Sequence, residues 1–117
     1  RASLIAASEW LKENLYEKEW EIDSPTVYAL GHTHIDVAWK WPLRQTREKA
    51  VRSFSTVLYL MKRYPEYRFF LSQPQLYEYV KEEAPEIFEQ VKERVKEGRW
   101  EADGAMWLES DSNLTSG

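Results

Sequence analysis

The stretch Thr26-Val27-Tyr28-Ala29-Leu30-Gly31-His32-Thr33-His34-Ile35-Asp36 decides how the rest of this chain reads. Its first five residues form a short, nearly continuous apolar run, the pattern of a strand buried on both faces of a parallel sheet. Asp23-Ser24-Pro25 in front of it breaks any preceding helix. From Gly31 to Trp41 the residues suit a loop. That loop holds the only two His of the chain, and His32, His34 and Asp36 occupy alternate positions. In extended backbone, alternate side chains project to the same side.

Working outward, Ala50, Val51, Phe54, Val57, Leu58 and Met61 recur at helical spacing and predict a helix over about 47–63. Tyr64-Pro65-Glu66 stops it, since Pro cannot continue a helix and disfavours helical geometry in the residue before it. Residues 67–71 read as a second strand, and Ser72-Gln73-Pro74 opens a helix carrying Leu76, Tyr79 and Val80. Pro85 marks a break or a new first turn. Ile87, Phe88, Val91 and Val95 form the next apolar stripe, Gly98 stands where a C-terminal cap belongs, and Trp100-Glu101-Ala102 begins a third strand running towards Trp107. Before the first strand, Leu4, Ile5, Trp10, Leu11, Leu15 and Tyr16 predict a surface helix within residues 3–20. The expected organisation is therefore a helical lead-in over 1–24 and an α/β body over 25–117.

Alternating strands and helices predict parallel strand–helix repeats with right-handed crossovers. Three strands cannot close a barrel, so an open sheet or part of a larger sheet or barrel is expected. In such folds ligands bind at the carboxyl ends of the strands. Here those ends hold His32, His34 and Asp36, then Ser72 and Gln73, then Trp107, Glu109 and Asp111. The three chemically rich loops are thus expected on one face.

Composition narrows the function classes. With 117 residues, 15% of them aromatic, the chain can bury a core and is not a disordered tail. Without Cys it forms neither a disulfide scaffold nor a Cys-based zinc finger, and a reducing compartment, the cytoplasm, is expected. A net charge of -4 with no basic stripe excludes a nucleic-acid partner held through phosphates. No apolar run approaches the ~20 residues of a membrane span. Residue 1 is Arg, no signal-peptide layout follows, and Asn113-Leu114-Thr115-Ser116-Gly117 is turn-like, so a segment of a longer protein is expected.

His34 and Asp36 offer an imidazole and a carboxylate, the donors a divalent ion such as zinc takes at about 2.0–2.2 Å. The competing reading is a hydrogen-bonded His near a strand end. Asp111, in Ser110-Asp111-Ser112-Asn113, is by default a turn former, but its place beyond the third strand fits a catalytic or ligand role. Glu109 is a supporting hydrogen-bonder or simply exposed. Trp39, Trp41 and Trp107 would pack in a core by default, and near such a site they also suit the C–H face of a sugar.

Gly31-His32-Thr33-His34-Ile35-Asp36-Val37-Ala38-Trp39, with Arg52-Ser53-Phe54-Ser55, Ser72-Gln73-Pro74-Gln75-Leu76-Tyr77, Lys96-Glu97-Gly98-Arg99-Trp100 and Trp107-Leu108-Glu109-Ser110-Asp111, resembles the α-mannosidases of glycoside hydrolase family 38, nearest to their cytosolic and prokaryotic branch. The resemblance implies part of a (β/α)7 barrel of the glycoside hydrolase/deacetylase type and a metal-dependent, retaining, exo-acting α-mannosidase of oligosaccharides or glycans. It implies one divalent ion, zinc or alternatively cobalt, held by His34, Asp36 and Asp111, with Asp111 also the nucleophile. Trp39 matches the aromatic under the sugar, and Trp107 joins it as a substrate-binding candidate. His32, Gln73 and Glu109 form a second tier, His32 matching a nearby His that is not usually a ligand. Ser110 stands where many relatives carry Pro. The family's acid/base carboxylate and last metal-binding His lie beyond Asp111, so residues 1–117 alone are expected to be inactive. An exposed sheet edge would favour self-association, and a homo-oligomeric parent is expected. The alternatives are a mannosylglycerate-type hydrolase of the same fold, a metal-dependent carbohydrate deacetylase using metal-bound water, and a packing or dimerisation piece whose His and Asp are structural.

Overall fold

The computed structural model describes residues 2–17, 25–104 and 106–109. Its elements are α1 (Ala2–Leu11), β1 (Gly31–His32), α2 (Leu43–Arg63), β2 (Phe69–Phe70), α3 (Pro74–Glu83), α4 (Pro85–Lys96) and β3 (Trp100–Glu101). A π-helical turn, Lys12–Tyr16, continues α1. The expected helix end at Trp20, the break at Asp23 and Ser24, the strand end at Ala105, and Ser110, Asp111 and residues 112–117 lie outside the described residues.

The three strands form one parallel sheet in the order β1-β2-β3. Gly31 pairs with Phe69 and His32 with Phe70; Phe69 pairs with Trp100 and Phe70 with Glu101. The crossovers are α2 between β1 and β2, and α3 with α4 between β2 and β3. This is the expected strand–helix alternation, present as an open three-stranded sheet among the described residues.

One expectation fails. Residues 26–30, read as a strand buried on both faces, carry no strand pairing, and Val27 and Tyr28 are 84% and 82% exposed. Pairing begins at Gly31 instead. An apolar run states a capacity for burial, but burial itself needs layers on both faces.

Helix α2 also starts earlier than its apolar stripe suggested, at Leu43 after Pro42. The extra turn adds Thr46 to the inward row of Ala50, Phe54, Val57 and Met61, all buried. Beneath these helices Phe54, Phe69, Tyr77 and Trp100 meet in tilted and edge-to-face contacts. Phe54 and Phe69 lie 5.1 and 4.7 Å from Trp100, centroid to centroid. Such pairs contribute about 0.5–1.5 kcal/mol beyond the burial of their area. The polar tips are satisfied: Trp100 Nε1 donates to Tyr77 Oη at 2.9 Å, and Tyr77 Oη donates to the Leu71 carbonyl at 2.7 Å.

Local signals set the element ends. Pro85 opens α4 as its first residue, where a missing N–H costs nothing. Gly98 takes φ +66°, and the bonds from Gly98 N to Val95 O and from Arg99 N to Arg94 O close α4 in the Schellman pattern. Arg99 then donates from Nη2 to the carbonyl of Met61, in the last turn of α2, and to those of Tyr64 and Tyr67 beyond it, at 2.7, 3.0 and 3.4 Å. Gly31 leaves room for Tyr67: a Cβ there would stand 2.0 Å from the Tyr67 hydroxyl oxygen, so a side chain at this position would displace that ring.

The predicted first helix is present as α1 and its π-helical continuation. Leu4, Ile5, Trp10, Leu11, Leu15 and Tyr16 are exposed. No helix among the described residues is long and apolar enough to cross a membrane.

Candidate metal and sugar site

The segment after β1 alternates as extended backbone should. Ile35 is buried in the core, and its neighbours His34 and Asp36 face outward. Their functional atoms meet, with His34 Nε2 3.1 Å from Asp36 Oδ1. The other ring nitrogen, His34 Nδ1, lies 2.8 Å from Glu109 Oε2, beyond the end of β3. Ser72, just past β2, donates from Oγ to Glu109 Oε1 at 3.2 Å. Residues after all three strands are therefore linked in one chain of contacts, Asp36–His34–Glu109–Ser72.

The backbone under this pair is held from below. Gln73, 2% exposed, donates from Nε2 to the Ile35 carbonyl at 3.1 Å. Thr46, fully buried, donates from Oγ1 to the Asp36 carbonyl at 3.0 Å and accepts from Trp41 Nε1 at 2.9 Å. Gln75 ties down the third segment: its Oε1 accepts from Trp107 Nε1 at 2.8 Å, and its backbone N–H donates to the Trp107 carbonyl at 3.4 Å. The Ser72-Gln73-Pro74-Gln75 run thus braces the segments after both neighbouring strands.

His34 is raised above the usual histidine pKa. The hydrogen bond to Asp36 is the largest cause, joined by the negative charges of Glu109 and Asp36 and opposed by slight burial. An imidazole between two carboxylates holds its proton more tightly for the same reason that it suits a cation.

The remaining candidates separate clearly. His32 turns to the sheet, donating from Nδ1 to the Phe70 carbonyl at 3.0 Å and packing on the Phe70 ring. Trp39 is 63% exposed, lies edge-on to Trp41 at 5.7 Å and has Lys40 Nζ 4.8 Å from its ring centroid. Trp107 is 51% exposed. Asp111 lies outside the described residues. Among the described residues no three His or acidic groups converge as a closed metal cluster, because Asp36 and Glu109 address opposite nitrogens of one ring. Two clefts of about 530 Å³ occur elsewhere, one along α2 beside Arg44, Arg47 and Arg52, the other between α3, α4 and Trp107. Neither is lined by His34 or Asp36.

Thr46 was overlooked in the sequence, although its position continues the inward row of α2; a hydroxyl placed on an apolar stripe is the signal that would have found it. Ser72 was expected at the ligand-bearing end of the second strand, but its contact with Glu109, like that of Gln75 with Trp107, depends on tertiary packing.

Residues 24–117 match the sequence family described as glycosyl hydrolases family 38 N-terminal domain. Alpha-mannosidase G of Dictyostelium discoideum is 40% identical over 109 residues, covering 93% of this chain and 10% of the relative. The alpha-mannosidase of Saccharomyces cerevisiae and alpha-mannosidase 2C1 of Homo sapiens are each 44% identical over 92 residues, covering 78% and 79% of this chain. Those matches take in 8% and 9% of the two relatives, so the chain spans about a tenth of the length of the curated proteins it resembles.

Proposed function

The chain belongs to glycosyl hydrolase family 38, within its N-terminal domain, and from that premise we propose that it is part of a metal-dependent, retaining, exo-acting α-mannosidase. The observation that carries this reading is the 3.1 Å approach of His34 Nε2 to Asp36 Oδ1. The α-mannosidase names of the relatives support the substrate class, terminal α-D-mannosyl residues of oligosaccharides or glycans. The three parallel strands would belong to a larger (β/α)7 barrel.

The donor set fits a divalent ion. An exposed imidazole nitrogen and a carboxylate oxygen 3.1 Å apart have nearly the spacing of two ligands that each sit about 2.0–2.2 Å from one zinc. His34 through Nε2, Asp36 through its carboxylate, and Asp111 would hold the ion, zinc or alternatively cobalt. When bound, it would supply a positive charge that holds vicinal sugar hydroxyls and keeps the adjacent Asp111 carboxylate ionised.

Two of this chain's own residues act on the sugar. Trp39 offers an exposed ring to the apolar face of the mannosyl unit. The Asp111 carboxylate attacks the anomeric carbon; its oxygen–carbon bond forms as the glycosidic carbon–oxygen bond breaks, giving a covalent glycosyl-enzyme. A carboxylic acid from another part of the protein protonates the departing oxygen, then takes a proton from the water that releases mannose with retained configuration.

A fluorinated mannosyl fluoride that accumulates the glycosyl-enzyme tests the proposal in the full-length protein. Mass spectrometry of the digest should place the fluoromannosyl label on Asp111. Turnover of an aryl α-mannoside with the label on a different residue, or with first-formed mannose of inverted configuration, would remove it.

A further inference from the structure

We propose that Glu109 is a positioning residue that fixes the ring orientation of His34 and, once a cation takes Nε2, holds the remaining ring proton on Nδ1. The inference rests on the metal-site reading above and concerns a residue that does not touch the ion.

An ionised carboxylate only accepts hydrogen bonds. In this structure both ring nitrogens face carboxylates, Nε2 at 3.1 Å from Asp36 Oδ1 and Nδ1 at 2.8 Å from Glu109 Oε2; a cation shared with Asp36 would displace the proton on Nε2, and Glu109 would accept the one that stays on Nδ1. The carboxylate is itself oriented, because Ser72 Oγ donates to its other oxygen at 3.2 Å. Glu109 is thus held at both oxygens by groups from the segments after β1 and β2. Asp36 cannot replace it, since Asp36 lies on the Nε2 side at 3.1 Å. Glu109 is equally unable to join Asp36 as a ligand without leaving both partners, because the ring stands between the two carboxylates. An imidazole whose second nitrogen donates to a carboxylate is also a more basic ligand, and loss of such partners typically weakens metal binding by about 10–100-fold.

The test uses full-length protein stripped of metal and titrated with Co²⁺, followed by visible absorption and by equilibrium dialysis. Glu109→Ala should weaken Co²⁺ binding about 10–100-fold. Glu109→Gln, whose amide oxygen still accepts from Nδ1–H, should recover to within roughly fivefold of the parent. The melting temperatures of the stripped variants should match, separating a loose ligand from a loose fold. Parental affinity in Glu109→Ala, or Glu109→Gln no better than Glu109→Ala, overturns the positioning role. Should Glu109→Ala fail to fold, Ser72→Ala carries the test. It removes only the hydroxyl that holds Oε1 and should weaken binding a few-fold; unchanged affinity overturns the role as well. Parent protein that binds no Co²⁺ would sink the metal reading itself, whereas binding that His34→Ala abolishes and Glu109→Ala leaves intact would sink the positioning role alone.

Discussion

Two sets of residues from the neighbouring segments after β1 and β2 use their polar groups in opposite ways, His34, Asp36 and Trp39 on one side and Gln73 and Tyr77 on the other. After β1, His34, Asp36 and Trp39 turn outward and their side chains meet other side chains or solvent. Around the end of β2, Leu71, Gln73 and Leu76 are buried, and Gln73 and Tyr77 spend their polar atoms on main-chain carbonyls at Ile35 and Leu71. Exposed side chains alone would wander among rotamers, and ordering each long one costs up to about 2 kcal/mol. Here the second segment fixes the backbone from which the first presents its chemistry. One segment should therefore be sensitive in activity and the other in stability.

The largest effect expected on this comparison is at His34. On the proposed metal-site reading, His34→Ala in the full-length protein should lower kcat/KM on an aryl α-mannoside by about a thousandfold, roughly 4 kcal/mol, as losing an ion that positions the sugar forfeits several kcal/mol. The melting temperature of the metal-free protein should barely move. A large drop in that temperature would erase the distinction between the two segments.

Next comes Tyr77, whose hydroxyl is pushed up to about 12 by burial, against a smaller lowering by the Trp100 hydrogen bond. The raised value means that folding favours the neutral phenol. Its contribution is complete well below pH 10, the pKa of an unfolded tyrosine, and is lost as pH rises through 10 towards 12. Urea midpoints should record a loss of about 2–3 kcal/mol across that window. In Tyr77→Phe the baseline is lower and this alkaline decline shrinks. Equal alkaline slopes in the two proteins would count against a buried, tethered phenol.

Gln73→Leu sharpens the comparison from below. It leaves the Ile35 carbonyl without its donor in a buried setting, a cost of about 1–3 kcal/mol. Stability should fall by that amount, and turnover should fall less than in His34→Ala. The smallest stability effect belongs to Trp39→Ala, within about 0.5 kcal/mol for so exposed a position. Its KM for the mannoside should nevertheless rise. Stability loss in Trp39→Ala exceeding that of Gln73→Leu would invert the assignment of roles.

The relation of sequence to structure differs from residue to residue. The stripe from Ala50 to Met61 predicted α2 because helical spacing is a local property, and Thr46 escaped only because a hydroxyl does not look like core. Pro85 and Gly98 marked the ends of α4 through backbone restrictions carried by single residues. Val27 and Tyr28 misled, since their apolar character says nothing about whether a layer covers them. Gly98-Arg99-Trp100 stood out as a family motif, yet its roles are structural: a helix cap, a bridge to the end of α2, and the centre of the aromatic core.

By itself, then, the sequence determined the helices, the strand–helix order, the membership in family 38 and the pairing of an imidazole with a carboxylate at His34 and Asp36. Each of these depends on neighbours within a few positions or on motifs in a fixed order. Only the tertiary structure decided that His32 serves the Phe70 carbonyl, and that Glu109, itself held by Ser72 from the end of β2, closes on His34. A ring nitrogen takes whichever partner the packed sheet brings within about 3 Å, and that meeting is written in no local stretch of the chain.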